Sequence, residues 1–350
     1  MLKNTSLPRL AERLRHFPAR PGTKIMEVCG THTVAIRRCG IQRLLPETMK
    51  LVSGPGCPVC VTPDSFIDEA VALARQGVVI TSFGDMLRVP GSRSSLEKER
   101  AAGADIRAVY SPLDALRIAA ESGWETVFLA VGFETTAPGI AAAAMKALET
   151  KLGNFSLLTA LRLVPPALKA LIAVDTGLSG FLLPGHVSAV IGKQAYDFLL
   201  DRQLPGVISG FGAEDIISSL LLLLEMHNKD IYKIVNNYPA AVRDSGNEKS
   251  RAILSKVFEP VDAEWRGLGS IPASGLDLRP AYAGLDSRRR FVIKKETAPP
   301  RKGCRCGDVL RGLIDPPACP LFNKACRPDQ PLGPCMVSAE GSCSAWVTYG

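Results

Sequence analysis

The 350-residue sequence lacks the features that mark membrane and exported proteins. Its longest apolar runs, at 140–145 and 220–224, are too short to span a bilayer. Its first twenty residues scatter arginines through the stretch that an apolar targeting core would occupy. We therefore expect a cytoplasmic protein that makes no membrane contact.

Nucleic-acid and nucleotide signatures are also missing. Aromatic residues make up 6% of the chain, and the pattern contains no nucleic-acid-binding module. Neither G-x-x-x-x-G-K-[ST] nor G-x-G-x-x-G occurs. We therefore expect neither a nucleic-acid partner nor a phosphate-binding loop.

Cysteine is absent from residues 61 to 303, although the chain holds ten cysteines. Four lie in the first sixty residues and six in the last 47. In a cytoplasmic protein, so many cysteines indicate metal or redox chemistry before structural disulfides.

The cysteine-rich tail contains eight prolines from residue 298 onward and no histidine. A segment without its own core needs a metal or crosslinks to hold one shape. Zinc sites usually use paired C-x2-4-C knuckles, whereas this tail has one C-x-C and dispersed single cysteines, so we favour a 4Fe-4S cluster over zinc. A disulfide-stapled tail is the third alternative. Four ligands would leave two cysteines over as a redox pair; the six are Cys304, Cys306, Cys319, Cys326, Cys335 and Cys343.

Cys57 and Cys60 form a C-x-x-C motif within Gly-Pro-Gly-Cys-Pro-Val-Cys, after one predicted strand and before a helix. A dithiol in this position can close to a disulfide, and nearby helix ends lower its thiol pKa. Half of a zinc site is the alternative, but the region has no second C-x-x-C. We therefore predict a redox pair.

Cys29 ends the apolar run of Ile-Met-Glu-Val-Cys-Gly-Thr-His-Thr and has no C-x-x-C partner. A buried structural cysteine is the simpler interpretation. His32 and the glycine turn favour a functional thiolate, acting as nucleophile or soft metal ligand, with Thr31 or Thr33 capping the next helix. Cys39 is interpreted as structural.

Short β-type runs alternate with helical patterns through the middle of the chain, which predicts parallel sheets covered by helices. Two sets of four runs are predicted: 24–29, 50–54, 78–82 and 106–110, then 126–131, 156–163, 180–183 and 206–209. The strand exits at the two ends of each set resemble each other at an offset of 101–103 residues. This resemblance indicates either duplicated α/β domains or a chance likeness between two strand-turn-helix units.

The predicted fold class is α/β: two similar parallel-sheet domains facing a cleft, plus a small cysteine-rich C-terminal iron-sulfur domain. The predicted domains are 1–125, 126–235 and 236–350. The last comprises a connector and the cluster domain. The connector, from about 230 to 300, is predicted to consist of helical pieces at 230–236 and 247–258 and of loops spaced by glycine and proline.

Polar residues follow further predicted strands. Glu134 lies in Gly-Phe-Glu-Thr-Thr, at nearly the repeat position of His32, and His186 follows Pro-Gly. Asp85 follows Ser-Phe-Gly. Each could be a structural group, but carboxyl ends of parallel strands are where such sheets bind ligands, so two facing sheets would collect these residues with Cys29.

Basic residues are concentrated at 288–305, within a chain of net charge +8. This window is either a solvated linker face or a docking surface for an acidic partner or electron donor.

Several motifs closely resemble those of the HypD family of nickel-iron hydrogenase maturation proteins. They are CGTHT (29–33), GPGCPVC (54–60), GFETTAP (132–138), LPGHVSAVIG (183–192), VDAEWRGLG (261–269) and the six-cysteine tail. The resemblance implies two similar α/β domains with a 4Fe-4S domain. It also implies a scaffold on which iron acquires the cyanide and carbon monoxide ligands of the Fe(CN)2CO group.

The resemblance also implies roles for individual residues. Cys29 would bind the iron, shared with a cysteine of the small chaperone HypC, with His32 assisting, and HypE would present the cyanide-donating group. The cluster ligands would be Cys304, Cys319, Cys326 and Cys343. The thiol pairs would be Cys57 with Cys60 and Cys306 with Cys335.

Two other classes are retained. A stand-alone iron-sulfur thiol-disulfide oxidoreductase would leave Cys29 incidental, and a zinc-stabilised binding module would contain no iron. On the favoured hypothesis, the chain is a monomer within a heteromeric complex.

Overall fold

The computed structural model describes residues 5–294 and 303–350. The fold is α/β, with two sheets dominated by parallel strands and a cysteine-rich C-terminal region, as predicted. The strands are β1 (Thr23–Glu27), β2 (Met49–Ser53), β3 (Val79–Ser82), β4 (Ile106–Ala108), β5 (Thr126–Gly132), β6 (Phe155–Arg162), β7 (Gly180–Pro184), β8 (Gly206–Ser209), β9 (Ile234–Asn236), β10 (Phe258–Trp265) and β11 (Gly269–Leu278).

Helices connect and cover these strands. The α-helices are α1 (Leu7–Arg15), α2 (Gly30–Arg38), α3 (Pro58–Val61), α4 (Asp64–Ala74), α5 (Leu96–Ala101), α6 (Pro112–Ser122), α7 (Ala137–Glu149), α8 (Val164–Leu171), α9 (Gly185–Ile191), α10 (Ala213–Asn228), α11 (Glu248–Val257), α12 (Ser287–Arg290), α13 (Cys306–Leu310), α14 (Pro334–Val337) and α15 (Ser342–Tyr349). The 3₁₀ helices are Ile41–Leu44, Gly84–Arg88, Lys193–Arg202, Pro280–Leu285 and Pro316–Ala318. Within the described residues, no helix is both long and apolar enough to cross a membrane.

The first sheet has the strand order β2-β1-β7-β8-β9, and every pairing in it is parallel. Residues 25–27 of β1 pair with residues 180–182 of β7. The carboxyl ends of β1, β2, β7 and β8 therefore lie along one edge, where the chain turns towards Cys29, Cys57, His186 and Gly210.

The second sheet has the order β10-β11-β6-β5-β3-β4. Strands β3 to β6 are parallel, whereas β11 runs antiparallel to β6 and β10 antiparallel to β11. The side chains of β5 and β6 are buried along their whole length, as expected for central strands covered on both faces.

All eight predicted strands are present, but the sheets do not follow the predicted division at residues 125 and 235. The predicted first domain contributes β1 and β2 to one sheet and β3 and β4 to the other. The second domain is split in the same way. A strand-helix pattern specifies a parallel strand but carries no signal for which of two sheets the strand joins.

The predicted connector is corrected by the structure. Residues 234–236, predicted as part of a helical piece, form edge strand β9, and residues 258–278 form a β-hairpin rather than loops. Pro260 and the glycines of this stretch indicated a loop in the sequence. Because β10 is an edge strand, however, Pro260 is tolerated there. The helix predicted at 247–258 is observed as α11.

The C-terminal region packs against both sheets' connecting elements. Helix α15 packs on α2, where the Arg37 guanidinium lies 3.4 Å from the ring centroid of Trp346. Helix α14 packs on α3. On the other side, Ser338 donates a hydrogen bond to Asp85, 3.0 Å away, in the 3₁₀ helix after β3. This segment therefore joins the turn after β1 to the turn after β3.

Candidate metal and thiol site

Cys29 lies where β1 passes into α2, and its extended backbone makes it the residue that precedes the helix. Its N–H donates to Oε2 of Glu27 over 3.0 Å, and the Thr33 hydroxyl donates to the other oxygen over 2.5 Å. The expected threonine cap is not formed, because Thr31 and Thr33 lie inside the first turn of α2. The Glu27 carboxyl holds this turn together instead.

Two main-chain contacts enclose the Cys29 turn. A Cβ atom on Gly56 would lie 2.3 Å from the Cys29 nitrogen, and one on Gly30 would lie 2.5 Å from Cβ of Glu340. The Gly30 N–H also donates to the Gly56 carbonyl over 2.9 Å. Only glycine allows the C-x-x-C loop and the C-terminal segment to approach Cys29 this closely.

The groups around Cys29 shift the pKa of its thiol in opposite directions. Burial raises the pKa of the Cys29 thiol to about 12, while the main-chain N–H groups of His32 and Thr31 lower it. The carboxyl groups of Glu340 and Glu27 raise the pKa further. The thiol is therefore protonated when nothing is bound to it, and a cation in contact with the sulfur would release the proton.

His32 and His186 are brought together by Phe211 rather than by Cys29. The centroid of the Phe211 ring lies 4.8 Å from that of His32 and 4.0 Å from that of His186. Nε2 of His32 is 3.0 Å from the Gly210 carbonyl, whereas its buried Nδ1 has no hydrogen-bond partner in the described structure. Burial lowers the pKa of His32 to about 4, so its ring is neutral. His32 faces the Cys29 sulfur through its main-chain N–H.

Glu134 is buried at the start of the turn after β5. One carboxyl oxygen accepts the Val164 N–H over 2.9 Å, and the other has no partner within the described residues. Burial raises the pKa of Glu134 to about 7. The buried Tyr196 hydroxyl interacts electrostatically with both Glu134 and Cys29. The three groups therefore share one electrostatic environment.

Replacing Glu134 with glutamine should flatten the fall of stability with increasing pH. The folded-state pKa of about 7 lies above the ordinary value of 4.5, so the native carboxyl contributes stability that is full below pH 4.5 and lost as pH rises through 7. Between pH 4 and pH 8, we expect the free energy of unfolding of E134Q to rise by about 3 kcal/mol relative to that of the wild type. Urea unfolding at several pH values measures this, with the exposed Glu149 changed to glutamine as control. Equal slopes for E134Q and wild type would contradict the assignment.

Four cysteines form a continuous row of thiols. The sulfurs of Cys57 and Cys60 are 2.6 Å apart, and those of Cys306 and Cys335 are 3.2 Å apart. The Cys60 and Cys335 thiols interact electrostatically, and α14, which carries Cys335, packs on α3, which carries Cys60, so the two pairs adjoin each other. All four side chains are buried, so the row is shielded from water. Spacing predicts the pair of Cys57 with Cys60, and the family resemblance implies that of Cys306 with Cys335, but neither indicates that the two pairs adjoin each other.

The six tail cysteines surround a recess whose other lining residues are mainly apolar, among them Leu321, Phe322 and Met336. Cys343 interacts electrostatically with Cys304, Cys306, Cys319 and Cys326. An all-thiol donor set in apolar surroundings fits an iron-sulfur cluster. Among the described residues, no three His, Cys, Asp or Glu side chains are arranged to hold a single metal ion.

The remaining predicted residues lie outside these contacts. Asp85 accepts the hydrogen bond from Ser338, and Cys39 is exposed at the end of α2. In the basic window, Arg288 pairs with Glu69 and Arg290 with Glu125, so these two arginines bind acidic groups of the chain itself. Part of the window, residues 295–302, lies outside the described residues.

Sequence reasoning missed Glu27, Tyr196 and Glu340. Glu27 is an acidic residue within a buried strand run, and Glu340 stands between two tail cysteines. Both positions were visible signals, because a carboxyl group in such a place needs partners. Tyr196 gave no comparable signal, since its importance comes from contacts between distant segments.

A buried cysteine at a strand end, two adjoining thiol pairs and an all-cysteine recess define an α/β protein whose clustered cysteines are compatible with metal binding. A family model described as "HypD: Hydrogenase formation hypA family" matches residues 6–350. The chain belongs to the HypD family.

Named relatives are similar over nearly their whole length. The hydrogenase maturation factor HypD of Rhizobium leguminosarum bv. viciae is 46% identical over 93% of this chain and 88% of its own. That of Azotobacter vinelandii is 44% identical over 93% and 89%, and that of Escherichia coli 41% over 97% and 93%.

Proposed function

We propose that this protein is a hydrogenase maturation factor that serves as scaffold and redox protein for assembly of the Fe(CN)2CO group of nickel-iron hydrogenase. Its iron is bound by Cys29 together with a HypC-type chaperone, and a HypE-type protein supplies the cyanide groups. The names of the relatives support the pathway. The observation that carries the chemistry is the enclosure of Cys29 beside a row of four buried thiols.

A thiolate at Cys29 suits iron that carries cyanide and carbon monoxide, because soft sulfur ligands match such a metal better than carboxylates do. The N–H groups of Thr31 and His32 face the sulfur and stabilise its negative charge once the proton has left. Glu27 fixes the turn that presents it. His32, Glu134 and His186 are proposed as the further polar members of this site.

The thiol row supplies reducing equivalents in this proposal. Cys306 with Cys335 and Cys57 with Cys60 alternate between dithiol and disulfide, passing two electrons towards the Cys29 region. The cluster ligands are proposed to be Cys304, Cys319, Cys326 and Cys343, and a bound 4Fe-4S cluster would deliver single electrons to the neighbouring pair. An electron donor docking at 288–305 remains part of the proposal.

Infrared spectroscopy tests the proposal. The protein, coexpressed with a HypC-type chaperone and purified without oxygen, should show cyanide and carbonyl stretching bands that shift on carbon-isotope labelling. A complex that contains iron but shows no such bands would contradict the scaffold function.

The thiol row also favours a second candidate, a stand-alone iron-sulfur thiol-disulfide oxidoreductase. This enzyme would reduce disulfides at a steady rate without any maturation partner, whereas the scaffold would not. Iron, sulfide and zinc content of the same preparation distinguishes both candidates from a zinc-stabilised binding module, which would contain zinc and no iron.

A further inference from the structure

The tip of the β10–β11 hairpin contacts the two segments that carry the thiol pairs. The Arg266 N–H donates to the Val61 carbonyl over 2.8 Å, at the end of the helix that carries Cys60. The Arg266 guanidinium forms an ion pair with Asp64, at the start of α4, and both side chains are partly buried. One arginine therefore binds the C-x-x-C helix and the helix that follows it.

The same hairpin tip also contacts the other pair. Gly267, with φ of +76°, approaches Gly307 so closely that a Cβ on either residue would lie 2.5 Å from main-chain atoms of the other. Gly307 directly follows Cys306. The Arg266 guanidinium also interacts electrostatically with Cys304 and Cys306.

The hairpin tip is itself held rigidly. Trp265 is fully buried, its indole N–H donates to the Ser274 hydroxyl over 2.8 Å, and its ring stacks on Phe133 with centroids 5.9 Å apart. Arg266 therefore projects from a fixed base rather than from a flexible loop.

We propose that Arg266 is a positioning residue for thiol-disulfide exchange, holding the Cys60 helix and the Cys306 turn at the separation that lets Cys60 and Cys335 react. This inference rests on the redox part of the proposed function. It gives the hairpin tip a role in the exchange. The cysteine motifs alone do not explain why this tip contacts both segments.

The exchange it serves is balanced within the chain. The Cys335 thiolate attacks the Cys60 sulfur of a Cys57–Cys60 disulfide, and Cys57 leaves as thiolate. The Cys306 thiolate then attacks Cys335, which forms the Cys306–Cys335 bond and releases Cys60. Two electrons pass from one pair to the other, and the protons lost by Cys306 and Cys335 end on Cys57 and Cys60.

A trapped intermediate tests the positioning. In full-length protein purified without oxygen, C57S combined with C306S leaves Cys60 and Cys335 to form the mixed disulfide when oxidised glutathione is added. Quenching by alkylation, followed by peptide mass spectrometry, gives the rate. Adding R266M should slow this step by about 10–100-fold, because small misplacements of reacting atoms cost that much. R266K, which can keep the ion pair, should stay within about threefold.

Two controls separate positioning from general damage. R311M removes an exposed arginine that pairs with Asp308 close to Cys306, and it should leave the trapping rate unchanged. In a C306S and C335S background, R266M should not alter closure of the Cys57–Cys60 disulfide, since both sulfurs lie on one short turn. Slowing of both reactions by R266M would show a merely structural role.

D64N provides a milder variant if R266M does not fold. It removes the ion pair but keeps the hydrogen bond from the Arg266 N–H to the Val61 carbonyl. We expect D64N to slow trapping about 3–10-fold. Unchanged trapping in folded R266M or in D64N would overturn the positioning role alone. Failure of the parent double variant to form the Cys60–Cys335 disulfide would instead overturn the exchange route of the proposed function.

Discussion

Replacing Cys29 with alanine should abolish the cyanide and carbonyl infrared bands of the complex with a HypC-type chaperone. Cys29 is the thiol enclosed by Gly56 and Glu340, and we propose that it is this chain's only ligand to the cargo iron. Alanine offers iron no thiolate, and the nearby carboxyl groups of Glu27 and Glu340 are hard donors that match such iron less well than sulfur does. We expect bands below the detection limit in C29A, measured beside iron content on the same anaerobic sample.

C39A is the matched control for this experiment. Cys39 lies at the other end of α2, is exposed and contacts none of the thiol pairs. It should give bands of wild-type intensity. C29A should also keep the iron and sulfide of the cluster, because the tail recess does not include it. Bands of undiminished intensity in C29A would sink the ligand assignment.

Serine in place of any one proposed cluster ligand should remove most of the iron and inorganic sulfide from anaerobically purified protein. The expected ligands are Cys304, Cys319, Cys326 and Cys343. A hydroxyl is a far poorer ligand for iron-sulfur clusters than a thiolate, so each of these four variants should also lose the broad visible absorption. Elemental analysis and the absorption spectrum measure the loss.

C306S and C335S provide the contrast within the same recess. Both residues line it, but their sulfurs contact each other at 3.2 Å, and Cys335 also interacts electrostatically with the Cys60 thiol. If they form the redox pair, both variants should keep iron and sulfide close to wild-type content. Loss of the cluster in C306S or C335S, with retention in one of the other four, would reassign the ligand set.

The sequence predicts the strands of this protein well because their signals are local. Buried runs such as those of β5 and β6 are apolar along their length, and turn residues end them. Sheet membership is not local. Strand β1 pairs with β7 across 155 positions, and nothing in either segment distinguishes that partner from β3 or β5.

The candidate site likewise combines local features that the sequence predicts with long-range contacts that it does not. The C-x-x-C pair at Cys57 and Cys60 follows from spacing along one turn. The proximity of Cys60 to Cys335 depends on the packing of α14 against α3, which spacing does not encode. The sequence did not predict the hairpin because Pro260 argues against a strand. Proline is tolerated in an edge strand, but the sequence does not show that β10 lies at an edge.

The C-terminal cover of the Cys29 turn has a consequence for biosynthesis, because there the Thr31 hydroxyl donates to Oε1 of Glu340 over 2.7 Å. The two residues are 309 positions apart, so the enclosure of Cys29 needs a segment made long after Cys29 has left the ribosome. At ordinary translation rates the delay is on the order of 15–60 s. During that interval the thiol lacks its C-terminal cover, so a nascent chain would not hold iron as the finished protein does. Iron loading is therefore expected to be a post-translational event.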